Sequence, residues 1–253
     1  MTDKNLLLPV MKVLSGDLAR RALVVGDPQR AGEAARLLEE ARLVGSNREY
    51  VTYTGKYAGE ALTVCSHGVG AAGASVCFTE LLQGGVEVII RAGTCGALKE
   101  EIEDGSLVIG TAAIREDGTS DQLVPLAYPA FAEAGVVQAL EKAASALEKA
   151  ASAQGKAYLG VILTQAHLYP GLLPSTIDLW CRAGAAAVEM EYAALLVIAS
   201  LHGARAGGIF TSDGNLVRKQ AALSTDNYNP HREVVAQGVQ RMLRIALDAL
   251  VNG

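Results

Sequence analysis

The chain is short of several things. It has only four cysteines, four histidines and one tryptophan in 253 residues. Cys65, Cys77, Cys95 and Cys181 are scattered, with no Cys-x-x-Cys pair. That pattern argues against a disulfide framework or a cysteine zinc site and reads as reduced, mostly buried thiols of a cytoplasmic protein. No apolar run reaches the roughly 18 residues that a membrane span needs. The N-terminal apolar run, Leu6 to Val13, is short and interrupted by Pro9, which makes a poor signal peptide. Positive charge is also scarce: 22 Lys and Arg against 27 Asp and Glu give a net charge of −5. Neither a nucleic-acid nor a membrane partner is expected of such a chain.

What the chain has is apolar residues, half of the total, and 27 glycines. That suits one packed α/β domain spanning residues 1–253. The most informative stretch is Val88-Ile89-Ile90-Arg91-Ala92-Gly93-Thr94-Cys95-Gly96. Its β-branched start reads as a buried strand, and the glycines after it read as a turn. An arginine just past an apolar run is costly without an anionic partner. That partner is either a structural carboxylate or phosphate, which a guanidinium grips through two N–H groups at once.

Other strand-to-turn junctions carry further candidates. Ala22 to Val25 runs into Gly26-Asp27-Pro28-Gln29-Arg30, ahead of a helix expected from Ala31 to Leu43. Such a turn can hold an anion, because free N–H groups and the helix dipole point at it. Two strand-like pieces, Tyr50 to Thr54 and Ala61 to Ser66, flank a hairpin turn. A second glycine turn, His67-Gly68-Val69-Gly70, follows, with His67 read as a structural histidine before a base. No acidic residue follows at the spacing a dinucleotide fold requires. Strands are expected at Leu107–Ala113, Val161–Thr164 and Ala206–Thr211, with a polar loop from Ile114 to Phe131. Leu-Glu-Lys-Ala-Ala-Ser-Ala occurs at 140–146 and again at 147–153, a lengthened surface helix with no chemistry. Tyr169 precedes Pro170 at a strand exit, where an aromatic can stack on a flat base or pack on its own loop.

Glu189 and Glu191 flank Met190. On an extended chain alternate residues point one way, so both carboxylates can face one pocket. The other reading is a pair of acids favoured by a helix N-terminus. Asp213 ends a strand before Gly214, where open α/β sheets bind ligands. Leu216 to Pro230 is aperiodic and reads as a flexible lid, ahead of a last helix from Arg232 to Val251.

Taken together, Gly26-Asp27-Pro28-x-Arg30, Asn47-Arg48-Glu49, Ser66-His67-Gly68-Val69-Gly70, Arg91-Ala92-Gly93-Thr94-Cys95-Gly96, Val188-Glu189-Met190-Glu191 and Ser212-Asp213-Gly214 occur in an ordered series that resembles the hexameric nucleoside phosphorylases. The segments around Asn47, Ser66 and Ile89 are most similar to purine nucleoside phosphorylases of apicomplexan parasites. The resemblance implies an α/β domain whose mixed central sheet is partly barrel-like and flanked by helices. It implies phosphorolysis of purine ribonucleosides in a homohexamer, a trimer of dimers, with phosphate as co-substrate and no cofactor or metal. By the same resemblance Gly26, Arg30, Arg91 and Thr94 hold phosphate, with Arg48 supplied by a neighbouring subunit. Met190 and Glu191 hold ribose; Cys95, Gly96, Tyr169 and Glu189 line the base; Asp213 is the catalytic acid at N7. The family usually has an N-terminal histidine for the ribose 5′-hydroxyl, whereas Pro9-Val10-Met11 stands at the matching place. Arg218 is a candidate for a second basic residue beside Asp213. Uridine phosphorylase has the same fold, but its Gln-x-Arg motif is absent from Gly171-Leu172-Leu173-Pro174. A methylthioadenosine phosphorylase or nucleosidase and a non-catalytic nucleoside-binding protein are the remaining alternatives.

Overall fold

The computed structural model describes residues 4–151, 156–169, 171–218 and 232–253. In chain order the elements are β1 (Arg21–Val25), α1 (Pro28–Ala35), β2 (Glu39–Asn47), β3 (Tyr50–Tyr57), β4 (Glu60–Ser66), α2 (Ala71–Gln83), β5 (Val88–Ala97) and β6 (Leu107–Glu116). They continue with α3 (Ser120–Leu123), β7 (Ala130–Phe131), α4 (Ala134–Ala151), β8 (Ala157–Gln165), α5 (Ile177–Arg182), β9 (Ala187–Glu189), α6 (Tyr192–Leu201), β10 (Arg205–Asn215) and α7 (Glu233–Asn252).

The strands run β10-β6-β8-β9-β5-β1-β4-β3-β2, and β10 also pairs with β5. That second pairing closes β5, β10, β6, β8 and β9 into a barrel-like ring, from which β1, β4, β3 and β2 extend as an open sheet. The sheet is mixed. β4, β1, β5 and β10 run parallel, so their C-terminal ends share one edge. Two apolar clusters cover its faces. One centres on Phe78, Tyr192 and Phe210, and the other joins α4 and α7 to β1 and β5 through Leu140, Leu243 and Ile90. Every residue of α6 from Tyr192 to Ala199 is buried, as its uniformly apolar sequence requires. The described part of the repeat, residues 140–151, falls on α4, where Val136, Leu140 and Ala144 form the inward stripe against α7.

Two expectations are corrected. The helix expected from Ala31 to Leu43 ends at Ala35, and Glu39–Asn47 is instead the edge strand paired with β3. Pairing there overrides the helix propensity of Leu, Glu, Ala and Arg. The glycines at 93 and 96 do not turn the chain. β5 runs through them to Ala97, in register with β10. Most of the expected 216–230 lid lies outside the described residues.

Candidate active site

The shared edge of the parallel strands gathers the charged residues. β1 ends at Val25 and β4 at Ser66, and the loops that follow are stitched together: His67 N donates to Val25 O and Gly68 N to Gly26 O, both at 2.9 Å. α1 starts immediately after Gly26, and Asp27 caps it by accepting from Gln29 N at 2.8 Å. Arg30 therefore stands in the first turn of α1. Burial lowers its pKa and the charge of Arg91 adds to that, while Asp27, Glu33 and Asp213 oppose it. Arg30 thus lies within electrostatic reach of both Arg91 and Asp213.

Arg91 is the centre of the cluster. Its side chain is 4% exposed. Nε donates to Glu189 Oε2 at 3.1 Å, and Nη2 reaches the same oxygen at 3.0 Å and also Glu191 Oε2. Nη1 lies 3.0 Å from His67 Nε2. The guanidinium also lies over the Phe210 ring, 5.6 Å from its centroid. Burial opposes the charge on Arg91, but Glu191 and Glu189 outweigh it and leave its pKa raised. The side chain lies back along its own strand over Gly93, where any Cβ would stand 3.0 Å from Nη2. The first glycine of the motif is thus required by a guanidinium, not by a turn.

The two glutamates are positioned differently. β9 delivers Glu189, whose Oε1 accepts from Thr164 Oγ1 at 2.7 Å and Tyr192 N at 3.0 Å. Its Oε2 accepts from Glu191 N at 2.8 Å and Tyr192 N at 2.9 Å. Both readings of this acid meet here: it faces Arg91 and it satisfies the first amides of α6. A carboxylate offers about four acceptor positions, so protein donors fill those of Glu189. Glu191 sits at the N-cap of α6, and its Oε1 accepts from Gly70 N at 2.5 Å. Gly70 adopts a φ of 93°, a left-handed conformation that suits glycine and aims this N–H at the carboxylate. Burial raises the pKa of Glu191 against the pull of Arg91.

Asp213 is 6% exposed and stands on β10 beyond Ser212, which pairs with Cys95. Burial pushes the Cys95 thiol up, and Asp213 and Glu189 push it further. Thr94 and Met190 are half-buried at the rim, and Gly96 faces Leu216 and Val188. Two expected site residues are not drawn into the cluster. Arg48 is exposed on the β2–β3 turn with a φ of 55°. Tyr169 is 64% exposed, on a loop with exposed Leu168, Leu172 and Leu173; Pro170 lies outside the described residues. Arg218 is exposed and 3.8 Å from Glu103. Gly70 and Thr164, which fix the two glutamates, carried no signal in the sequence beyond the turn and strand that contain them.

Residues 20–252 match the family described as the phosphorylase superfamily. The chain belongs to the nucleoside phosphorylase family. A guanosine phosphorylase of Halorubrum lacusprofundi is 35% identical over 243 residues, covering 96% of this chain and 97% of that protein. A uridine phosphorylase of Thermococcus kodakarensis is 36% identical over 217 residues, covering 81% and 76%. Among solved structures, the purine nucleoside phosphorylase of Toxoplasma gondii in complex with immucillin-H superposes with a TM-score of 0.90 at 30% identity, covering 100% of this chain and 98% of that one. That superposition bears out the partly closed, helix-flanked sheet. Identity does not separate purine-named from uridine-named relatives of this phosphorylase family.

Proposed function

We propose that the chain catalyses phosphorolysis of purine ribonucleosides, yielding free base and ribose 1-phosphate. The observation that carries this reading is the buried pairing of Arg91 with Glu191 at the sheet edge, beside Arg30 and Asp213. It sets an anion-binding group against a hydroxyl-binding group, as attack of phosphate on C1′ of a ribose requires.

The charges support phosphate as co-substrate. With His67 neutral, one guanidinium against two carboxylates leaves the Arg91 cluster with a surplus negative charge. A phosphate dianion therefore needs more cations. Arg30 is the next one, with Gly26 N–H and the Thr94 hydroxyl alongside, and Arg48 of a neighbouring copy completes the set in a hexameric assembly. Among the described residues Arg91 spends one N–H each of Nε, Nη2 and Nη1 on Glu189, Glu191 and His67, and the second Nη1 N–H is left for the ligand. Glu191 and Met190 take the ribose. Cys95, Gly96 and Tyr169 border the base, and Glu189 acts behind them by holding Arg91 and the start of α6.

The leaving base favours a purine. As the C1′–N9 bond breaks, its electron pair enters the purine ring, and Asp213 delivers a proton to N7. Uracil has no N7, and Gly171-Leu172-Leu173-Pro174 offers no side-chain amide or guanidinium to its carbonyls. No cofactor is called for, because positioning and charge stabilisation carry the reaction. A cytoplasmic location fits salvage of nucleosides.

The test is base release from inosine, guanosine, adenosine, methylthioadenosine and uridine, each with and without phosphate. Strict phosphate dependence with inosine or guanosine preferred is expected. Equal release without phosphate would make the protein a hydrolase, and a higher kcat/KM for uridine would make it a uridine phosphorylase.

A further inference from the structure

Asp213 sits at a break in the register of β10 against β5. On the β5 side the register slips: Ser212 pairs with Cys95 and Gly214 with Gly96, so Asp213 is the bulged residue between them. Bulges of this kind re-aim a side chain and loosen the backbone that carries it. On the other side, the segment after Glu103 runs alongside β10. Gly105 N donates to Ser212 O at 2.8 Å and Ser212 N to Ser106 O at 2.9 Å. The next carbonyl, that of Asp213, accepts from Nη2 of Arg232 at 2.8 Å. Nη1 of the same guanidinium donates to Asp104 Oδ2, one residue before Gly105. Arg232 thus spans from the 104–106 segment to Asp213 and extends the ladder by one rung. Just beyond, Asn215 Nδ2 donates to Lys99 O at 2.8 Å and Ile102 O at 2.9 Å, tying the other flank of Asp213 to the same loop.

We propose that Arg232, anchored on Asp104, is a positioning residue that sets the Asp213 carboxyl for transfer of its proton to N7 of the leaving base. This rests on the reading of Asp213 as the acid. Arg232 touches no reacting atom. It holds the backbone carbonyl of a bulged residue, and the proton moves only if the carboxyl oxygen meets N7 at hydrogen-bond distance. Arg232 and Asp104 border a hollow of about 350 Å³. Shortening Arg232 enlarges an existing space rather than opening one in the core, so the variant is expected to fold.

The experiment compares inosine with 7-methylinosine in wild type, Arg232→Met, Arg232→Lys, Asp104→Asn and Asp213→Asn. The imidazole of 7-methylinosine already carries a positive charge, so its base departs neutral with no proton supplied. Arg232→Met is expected to lower kcat for inosine roughly 10–100-fold with little change in KM, the scale of a misplaced catalytic group. It should leave kcat for 7-methylinosine within about twofold of wild type, because that substrate bypasses the acid. Lysine at 232 should recover part of the loss, and adding Arg232→Met to Asp213→Asn should cost nothing further on inosine. Equal loss on both substrates, losses that add in the double variant, or unchanged inosine turnover would each overturn the proposal. Should Arg232→Met fail to fold, Asp104→Asn keeps the shape and reads the same split. Wild type that cannot phosphorolyse inosine at all would instead remove the reading of the reaction, and the proposal with it.

Discussion

His67 Nε2 accepts a hydrogen bond from Nη1 of Arg91 at 3.0 Å. The other ring nitrogen, Nδ1, lies 2.8 Å from the carbonyl oxygen of Gly68, which can only accept. Nδ1 therefore carries the proton, Nε2 is a lone pair, and the ring is neutral. Burial depresses the His67 pKa well below its ordinary value, and the Arg91 charge depresses it further. A protonated ring here would have no lone pair for Arg91 and would place two cations in contact. His67 is thus a support for the central guanidinium rather than a base.

This arrangement makes stability pH-dependent with a defined sign. The native pKa of His67 is lowered, so its contribution is complete above the unfolded value near 6.5 and is lost as pH falls from there toward the native value. The slope approaches about 1.4 kcal/mol per pH unit within that window. Wild type should therefore lose melting temperature between pH 7.5 and 5.5 more steeply than His67→Gln, whose amide can accept from Arg91 and donate to Gly68. Glu191, raised in the native state, acts in the opposite sense at lower pH and is common to both proteins. Parallel pH profiles would show that His67 is not the titrating group.

Gly93 is expected to tolerate no side chain. An alanine Cβ would stand 3.0 Å from Nη2 and 3.1 Å from Cζ and Nη1 of Arg91, a guanidinium held on several sides and unable to yield. Gly93→Ala should cost about 1–3 kcal/mol of stability by overpacking. It should also raise the phosphate KM, because the displaced group is the proposed phosphate ligand. Urea titration and a phosphate saturation curve measure both, and leaving both unchanged would mean that the Arg91 side chain has room to move.

Much of this was legible in the sequence because its signals are local. A β-branched run, a glycine after it and a helix-forming stretch next each depend on a few adjacent residues, and β1, β4, β5 and β10 announce themselves in that way. The charged candidates Arg91, Glu189, Glu191 and Asp213 stood out because an ionised group at the end of an apolar run demands a partner. What the sequence hides is pairing at a distance. Residues 39–43 have the composition of a helix and become a strand only through β3. Gly93 looks like a turn until the Arg91 side chain is seen lying over it. Arg232 reads only as the start of a helix, because Asp104 is 128 residues away.

Arg48 tests assembly. It projects from a turn braced on both sides: Asn47 Nδ2 donates to Val10 O at 2.7 Å, and Ser66 Oγ donates to Glu49 O at 2.5 Å. A fixed, exposed cation suits contact with another copy better than with its own cluster. If it completes a neighbour's site, Arg48→Ala and Asp213→Asn should each be nearly inactive alone. Mixed by co-expression, they should regain roughly a quarter of wild-type activity, the fraction of sites that draw an intact Asp213 from one chain and an intact Arg48 from its neighbour. A mixture no more active than its components would place Arg48 outside any shared site.

The last prediction concerns the ribose 5′ position. Glu80 is buried and grips the turn that precedes β1, accepting from Val10 N at 2.9 Å and Met11 N at 2.8 Å. Met11 is fully buried, so the side chain at that place is committed to the core. The amides of Val10 and Met11 and the Met11 side chain are therefore spent, and Pro9 has no N–H to give. If the turn stands near a neighbour's 5′-hydroxyl, Pro9, Val10 and Met11 offer it no donor, and the exposed Lys12 that follows carries one. Losing one hydrogen bond to a neutral hydroxyl costs about 0.5–1.5 kcal/mol. Replacing the 5′-hydroxyl by hydrogen or methylthio should then lower kcat/KM by no more than about tenfold. Placing a donor at the tip, as in Val10→His, should raise the preference for the 5′-hydroxyl while leaving 5′-deoxyinosine turnover near its starting value. A wild-type loss beyond about a thousandfold on 5′-deoxyinosine would require several kcal/mol from that one group, and would mean that another residue already binds it.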